Sequence, residues 1–296
     1  MTVRPFATWM AATGVAGVLV LVLALLLGGG APPAPVPGLE SPSRIALWGG
    51  DITSYAALIA GVLAVGFAMF GERGLAGGAA AGWTALTALQ VGFLAWEQHG
   101  ESATATAQGQ ALLIQGGLAA LAAFGWSLMS NRRAAAALLP VALAALVPAA
   151  LAGHARAADD RLLASLSLAI HVLAAAMWVG GLFALACIAG WRAHLARYSA
   201  VAAMCAFAVA LSGVVAALGN VAVGEVFTSR YGAIVALKAV ILLGLVAAGW
   251  LQRRYVVARM TSGRRAFLAL ATFELTTMAI VMALATALTE TPPPGG

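Results

Sequence analysis

Few residues in this 296-residue chain carry chemistry, so each one is informative. The histidines are His99, His154, His171 and His194. His154 stands in Gly153-His154-Ala155, and His171 lies inside the next apolar run. Imidazole accommodates copper in either oxidation state and also serves as an axial ligand of haem. Two imidazoles entering a membrane from one side suit either a cation path or the two axial positions of a buried haem b. Each also fits a plainer role, a hydrogen bond to a carbonyl of the adjoining helix. His99 follows Trp96-Glu97-Gln98. There it is either an outer entry ligand or part of an interfacial cap. His194, in Trp191-Arg192-Ala193-His194, is expected in a solvated loop.

Soft donors follow later in the chain. Met278 and Met282 are spaced i, i+4 after Glu274, which puts all three on one face of a helix. Thioethers favour Cu(I). Lipid-phase packing by methionine and a hydrogen bond from Glu274 to a neighbouring helix account for the same pattern. Lys238 is the sole lysine. It would repel a cation in a path, and its alternatives are to snorkel outward, to donate to carbonyls, or to hold a haem propionate. The depths of Lys238 and Glu274 differ by ~12 Å, too far for a direct ion pair. Cys187 and Cys205 are far from any C-x-x-C spacing, so neither a disulfide framework nor a zinc ribbon is expected. Both are taken as inert small apolar residues.

These groups need elements to hold them. The chain is 62% hydrophobic and 9% charged, with a mean hydropathy of +0.97. Soluble domains carry about 25% charged residues, so the excess apolar surface must face lipid. Disorder, a nucleic-acid partner and a disulfide scaffold are excluded on the same ground. The pattern predicts an all-α, polytopic transmembrane helical bundle of nine spans, eight if the first is cleaved. They are placed at 7–29, 53–71, 79–97, 109–130, 134–153, 162–189, 199–223, 233–251 and 267–289. The segment Trp191 to Tyr198 is expected to be a break between spans. The first span is longer than a signal-peptide core and is expected to be retained. Gly78-x-x-x-Gly82 is either a helix-packing contact or a chance spacing in a glycine-rich chain.

Charge sets the orientation. With the N-terminus inside and the C-terminus outside, Arg4, Arg73, Arg132, Arg133, Arg192, Arg197, Arg253, Arg254, Arg259, Arg264 and Arg265 fall on the cytoplasmic side. Only Arg44, Arg156, Arg161 and Arg230 fall outside. That bias obeys the positive-inside rule and accounts for most of the +6 net charge without a polyanionic partner. His171 then lies ~14 Å below the outer end of its span. His154 lies near the outer surface beside Asp159 and Asp160. Glu274, Lys238 and His171 remain as polar groups at membrane depth, where each costs energy and is a functional candidate by default.

The run from Ile170-His171 to Trp178-Val179-Gly180-Gly181, preceded by Gly153-His154-Ala155, resembles the copper resistance protein D (CopD) family. The likeness continues through Arg197-Tyr198-Ser199, Ser212-Gly213 and Tyr231-Gly232 to Lys238. It covers roughly residues 140–294, so the chain is divided into 1–135, membrane helices without a signature, and 136–296, a CopD-like membrane domain. The resemblance implies a multi-pass protein of the bacterial inner membrane that moves or handles copper. It also implies a separate periplasmic copper-binding partner of the CopC type. The family's pattern reaches His154, His171, Trp178 and Lys238. It does not reach His99, Met278 or Met282. The sequence contains no G-x-x-x-x-G-K-[ST] motif, so ATP is not expected as the driver. On the resemblance a transporter is preferred to an enzyme. The alternatives are a b-type haem oxidoreductase with His154 and His171 as axial ligands and Lys238 on a propionate, and a non-catalytic membrane scaffold. Oligomeric state is not legible.

Overall fold

The computed structural model describes residues 44–98, 102–131, 136–152, 161–220 and 264–289, with positions 240, 244 and 247. Every regular element among the described residues is helical. The α-helices are α1 (Arg44–Met69), α2 (Arg73–Glu97), α3 (Ala107–Leu128), α4 (Leu139–Ala152), α5 (Arg161–Cys187), α6 (Trp191–Asn220) and α7 (Arg264–Thr289). Five stretches are long and apolar enough to cross a membrane: Trp48–Met69, Arg73–Glu97, Ala107–Leu128, Leu162–Cys187 and Trp191–Val215. Leu139–Ala152 and Phe267–Val281 are shorter apolar helices. The expected spans at 7–29 and 233–251 lie outside the described residues, three positions apart.

The chain forms two compact units, residues 30–184 and residues 1–29 with 185–296. In the first, α1 packs on α2, α2 on α3, α3 on α4, and α4 returns to α1, closing a four-helix ring. Small side chains let these backbones approach, the usual device where lipid offers no hydrophobic drive between helices. Ala64, Ala68, Ala76, Ala80, Ala119, Ala122, Ala142 and Ala145 are fully buried. Leu89, Ile114, Leu121, Phe124 and Leu128 lie exposed on the outside, as lipid-facing residues do. A polar lock joins α2 to α3, where the buried Gln115 amide donates to Thr87 Oγ1 at 3.1 Å.

Turn chemistry sets the ends. After α1, Gly71 takes φ +70°, its N–H donates to Ala68 O and the Glu72 N–H to Phe67 O. This pair of bonds is a Schellman ending, which favours glycine at the left-handed position. At the same end, Arg73 Nη1 donates to Met129 O after α3. Thr106 caps α3 by accepting the Gly109 N–H at 3.1 Å. Helix α5 runs alongside α1 and nearly touches it. A Cβ on Gly66 would stand 2.0 Å from Gly180 O, and one on Gly180 would stand 2.1 Å from Val62 O. Phe67 meets Phe183 edge to face close to this contact, centroids 5.8 Å apart.

Several sequence expectations change. Trp191 to Tyr198 is not a break but the first two turns of α6, and the turn before it is only Ile188 to Gly190, with Gly190 at φ +73°. Arg, Ala and Leu favour helix there, and burial of Trp191 and Tyr198 on one face secures it. His194 is accordingly a half-buried helical residue with an interaction partner, not a solvated loop residue. Gly78 and Gly82 face open space among the described residues, so the close glycine contact is Gly66 with Gly180 instead. Helix α1 begins at Arg44, which draws Asp51 inside a helix expected to start at 53. Helix α4 is shorter than the expected 134–153, with Pro140 in its first turn and Pro148 inside it.

Candidate functional site

In the first unit the candidate residue is His171. It is half-buried on α5, on a face continued by the buried Ser167, Ala174, Trp178 and Leu182. These positions follow the i, i+4, i+7, i+11 helical repeat. Both His171 and Trp178 have interaction partners. On α1 Thr53 and Tyr55 are buried, with the half-buried Asp51 two residues before Thr53. Thr53 Oγ1 is satisfied within its own helix, donating to Gly49 O at 2.7 Å. The expected partner imidazole His154 lies outside the described residues, as do His99, Asp159, Asp160 and Lys238.

In the second unit, two parallel helices bring a different set of groups together. Trp191 at the start of α6 stacks on Phe267 at the start of α7, centroids 4.4 Å apart and planes 9° from parallel. Seven residues further along each helix stand Tyr198 and Glu274, which interact electrostatically, as do Tyr198 and Cys205. Equal spacing from the stack means that α6 and α7 keep a common register over two turns. The buried positions of α6 include the seven-residue series Trp191, Tyr198, Cys205 and Ser212, with Val209 buried beside it. Those of α7 are Phe267, Ala271, Glu274, Leu275 and Met278. Glu274 and Met278 thus share a buried face, as their spacing predicts, with only 5% and 4% of their surface exposed. The side chain of Met282 lies outside the described residues.

Glu274 is the unusual member. Its Oε1 is buried without a hydrogen-bond partner among the described residues. An ionised carboxylate in such surroundings is costly unless something positive or protic reaches it. Ser212, by contrast, donates to Ala208 O at 2.6 Å. The end of the pair nearest the stack is basic. Arg192 covers the Trp191 ring at 5.4 Å, and Arg264 Nη2 donates to Ala186 O at 3.3 Å, closing the C-terminus of α5.

Cys187 and Cys205 are both free thiols. Among the described residues no three His, Cys, Asp or Glu side chains converge as a ready metal site. Tyr198 and Cys205 did not stand out in the sequence as site residues. The signal that finds them is the seven-residue repeat from Trp191 to Ser212, obscured when the first turns of α6 are read as a loop.

Long apolar helices with a few polar groups at membrane depth define a polytopic helical membrane protein. Residues 192–288 match the family model of copper resistance protein D, which supports the resemblance seen in the sequence. The match covers about a third of the chain and includes Tyr198, Cys205, Glu274 and Met278, whereas His154 and His171 precede it. No curated protein and no solved structure matches the chain.

Proposed function

We propose that this protein carries copper ions across the bacterial inner membrane as their transporter. The observation that carries this reading is the family match over residues 192–288, within which Glu274 and Met278 lie buried on one helix face. Copper is received at the outer face near His154, with His99 and the acids Asp159 and Asp160 as entry groups, and passes to His171. Glu274, Met278 and Met282 serve the same cargo in the second unit. At each transfer the ion exchanges ligands without being stripped, because a bare charge in hydrocarbon is prohibitive. Nine spans with the N-terminus inside place His154 and His99 toward the compartment where a soluble CopC-type protein would deliver the ion. Lys238 repels a cation, so it serves to lock helices or snorkels away from the path.

The test is cell-associated copper in a strain expressing the full chain. His154→Ala and His171→Ala are each expected to abolish the copper difference that the parent produces. Unchanged copper in both variants would overturn the route. Metal analysis and an absorption spectrum on one purified sample complete the test. Stoichiometric copper in a colourless protein is expected, and a Soret band shifted by His171→Ala would replace copper transport with haem chemistry.

A further inference from the structure

The two units differ in charge. Residues 30–184 carry six basic and seven acidic side chains, whereas the other unit carries ten basic and three acidic ones. All of the net positive charge of the protein therefore sits in the second unit. Its acids are Glu225, Glu274 and Glu290, and Glu274 is buried. At the stacked end of α6 and α7 stand Arg192, Arg197 and Arg264, all exposed. Arg192 is held over the Trp191 ring at 5.4 Å, and Arg264 lies one turn before Phe267, the other ring of the stack. Arg264 Nη2 donates to Ala186 O at 3.3 Å. Helix α6 contains no acid, and α7 contains none before Glu274, so neither helix supplies a carboxylate to neutralise this end.

An apolar row starts at the same place. Arg197, Ala200, Met204, Phe207, Leu211 and Val214 are all exposed, and their alternating spacing of three and four residues puts them on one helix face. From Arg197 to Phe207 is ~15 Å along the axis, half of the ~30 Å hydrocarbon core and so the depth of one leaflet. A long side chain on a helix leans toward the N-terminus, and arginine carries its charge to the membrane surface while its stem stays on apolar neighbours. The Arg197 guanidinium is thus directed toward the headgroup level, with the apolar row beneath it. Positive charge above one leaflet's depth of apolar surface matches the order of an anionic phospholipid, phosphate at the surface and acyl chain below.

We propose that the start of α6 is a binding surface for an anionic phospholipid, with Arg197 holding the phosphate and the acyl chain lying along Met204, Phe207 and Leu211. Arg192 and Arg264 add positive charge at the same end. Guanidinium suits this ligand because its fork of N–H donors matches a pair of phosphate oxygens and its charge persists at any working pH. Basic groups near helix ends are drawn to anionic headgroups on the same ground. Lipid held here is a partner of the second unit and does not depend on which cargo the protein carries.

The test is native mass spectrometry of the full-length protein in an uncharged detergent, titrated separately with phosphatidylglycerol and with phosphatidylcholine of the same acyl chains. The parent is expected to retain phosphatidylglycerol at concentrations where phosphatidylcholine is lost, with a preference that falls as salt is added. Arg197→Gln and Arg192→Gln are each expected to weaken phosphatidylglycerol binding about fivefold, the contribution of one basic residue at an anionic surface. Arg73→Gln, on the unit whose charges nearly balance, is expected to leave it unchanged. Phe207→Ala removes chain contact but no charge, so it should weaken both lipids alike. Equal retention of the two lipids by the parent, or an undiminished preference in the Arg192→Gln, Arg197→Gln double variant, would overturn the site. A dimer that Phe207→Ala disperses, seen without any lipid preference, would give the row to a second copy and overturn it as well.

Discussion

Between α2 and α3 the buried Gln115 amide donates to the Thr87 hydroxyl at 3.1 Å. Between α6 and α7 the buried Glu274 leaves a carboxylate oxygen without a partner among the described residues. The four-helix ring holds this polar contact as a closed neutral pair amid alanines, the arrangement expected of a group retained for packing. On the α6–α7 pair a buried acid instead stands level with the Tyr198 phenol and one turn before the Met278 thioether. Neutral orphans exist in the ring as well, at Trp83 Nε1 and Gln90 Oε1. Burying such a group costs about 1–3 kcal/mol, whereas an ionised carboxylate costs far more. The difference teaches where function is to be sought: the ring closes its buried amide on a hydroxyl, whereas the pair keeps a buried acid with an oxygen that has no partner among the described residues.

The largest effect should come from the place where two backbones almost touch. Gly180→Leu puts carbon onto Val62 O, and the helix itself must move. The loss should exceed the about 1–3 kcal/mol of ordinary overpacking, read as failure to recover monodisperse protein in detergent. A folded Gly180→Leu protein with the parent's melting midpoint would remove the backbone crossing from the account of the first unit.

Next is the stack that sets the register of the second unit. Phe267→Ala is expected to cost about 3 kcal/mol in thermal stability, the low end for large-to-small changes of aromatic residues. It should also lower copper accumulation, because Tyr198 and Glu274 then lose their common level. Parent-like copper accumulation in a destabilised Phe267→Ala protein would show that the register does not position the acid.

The contrast between the two polar pairs predicts opposite signs. Gln115→Leu leaves the Thr87 hydroxyl unpaired and should destabilise by about 1–3 kcal/mol without affecting copper. Glu274→Met removes the orphan oxygen and should raise the melting midpoint while lowering copper accumulation. Destabilisation by Glu274→Met would mean that the carboxyl is satisfied and structural, which would collapse the comparison. The smallest effect belongs to Gly78→Ala and Gly82→Ala, which face open space. Each should gain no more than about 1 kcal/mol from helix propensity. A clear loss would reveal a packing partner at that face.

Much of the fold was legible because membrane helices announce themselves locally. Apolar runs of about 20 residues are a property of contiguous sequence, and the runs ending at Met69, Glu97, Leu128 and Cys187 lie close to the expected ones. The stretch at Trp191 to Tyr198 was misread because arginines look like punctuation. Their helical propensity and the two buried aromatics outweigh that signal. Of the site, the Glu274–Met278 face was legible because i, i+4 neighbours share a face in any α-helix.

What the sequence determined by itself is the class of protein, the approximate helices, and the neighbours fixed by helical period within one element. Only the tertiary structure decided that Gly66 meets Gly180, that Trp191 lies on Phe267, and that Tyr198 therefore stands level with Glu274. Spacing along one helix is set by covalent geometry and backbone hydrogen bonds. Register between two helices is set by which side chains interdigitate, and in lipid no simple hydrophobic pattern marks that choice.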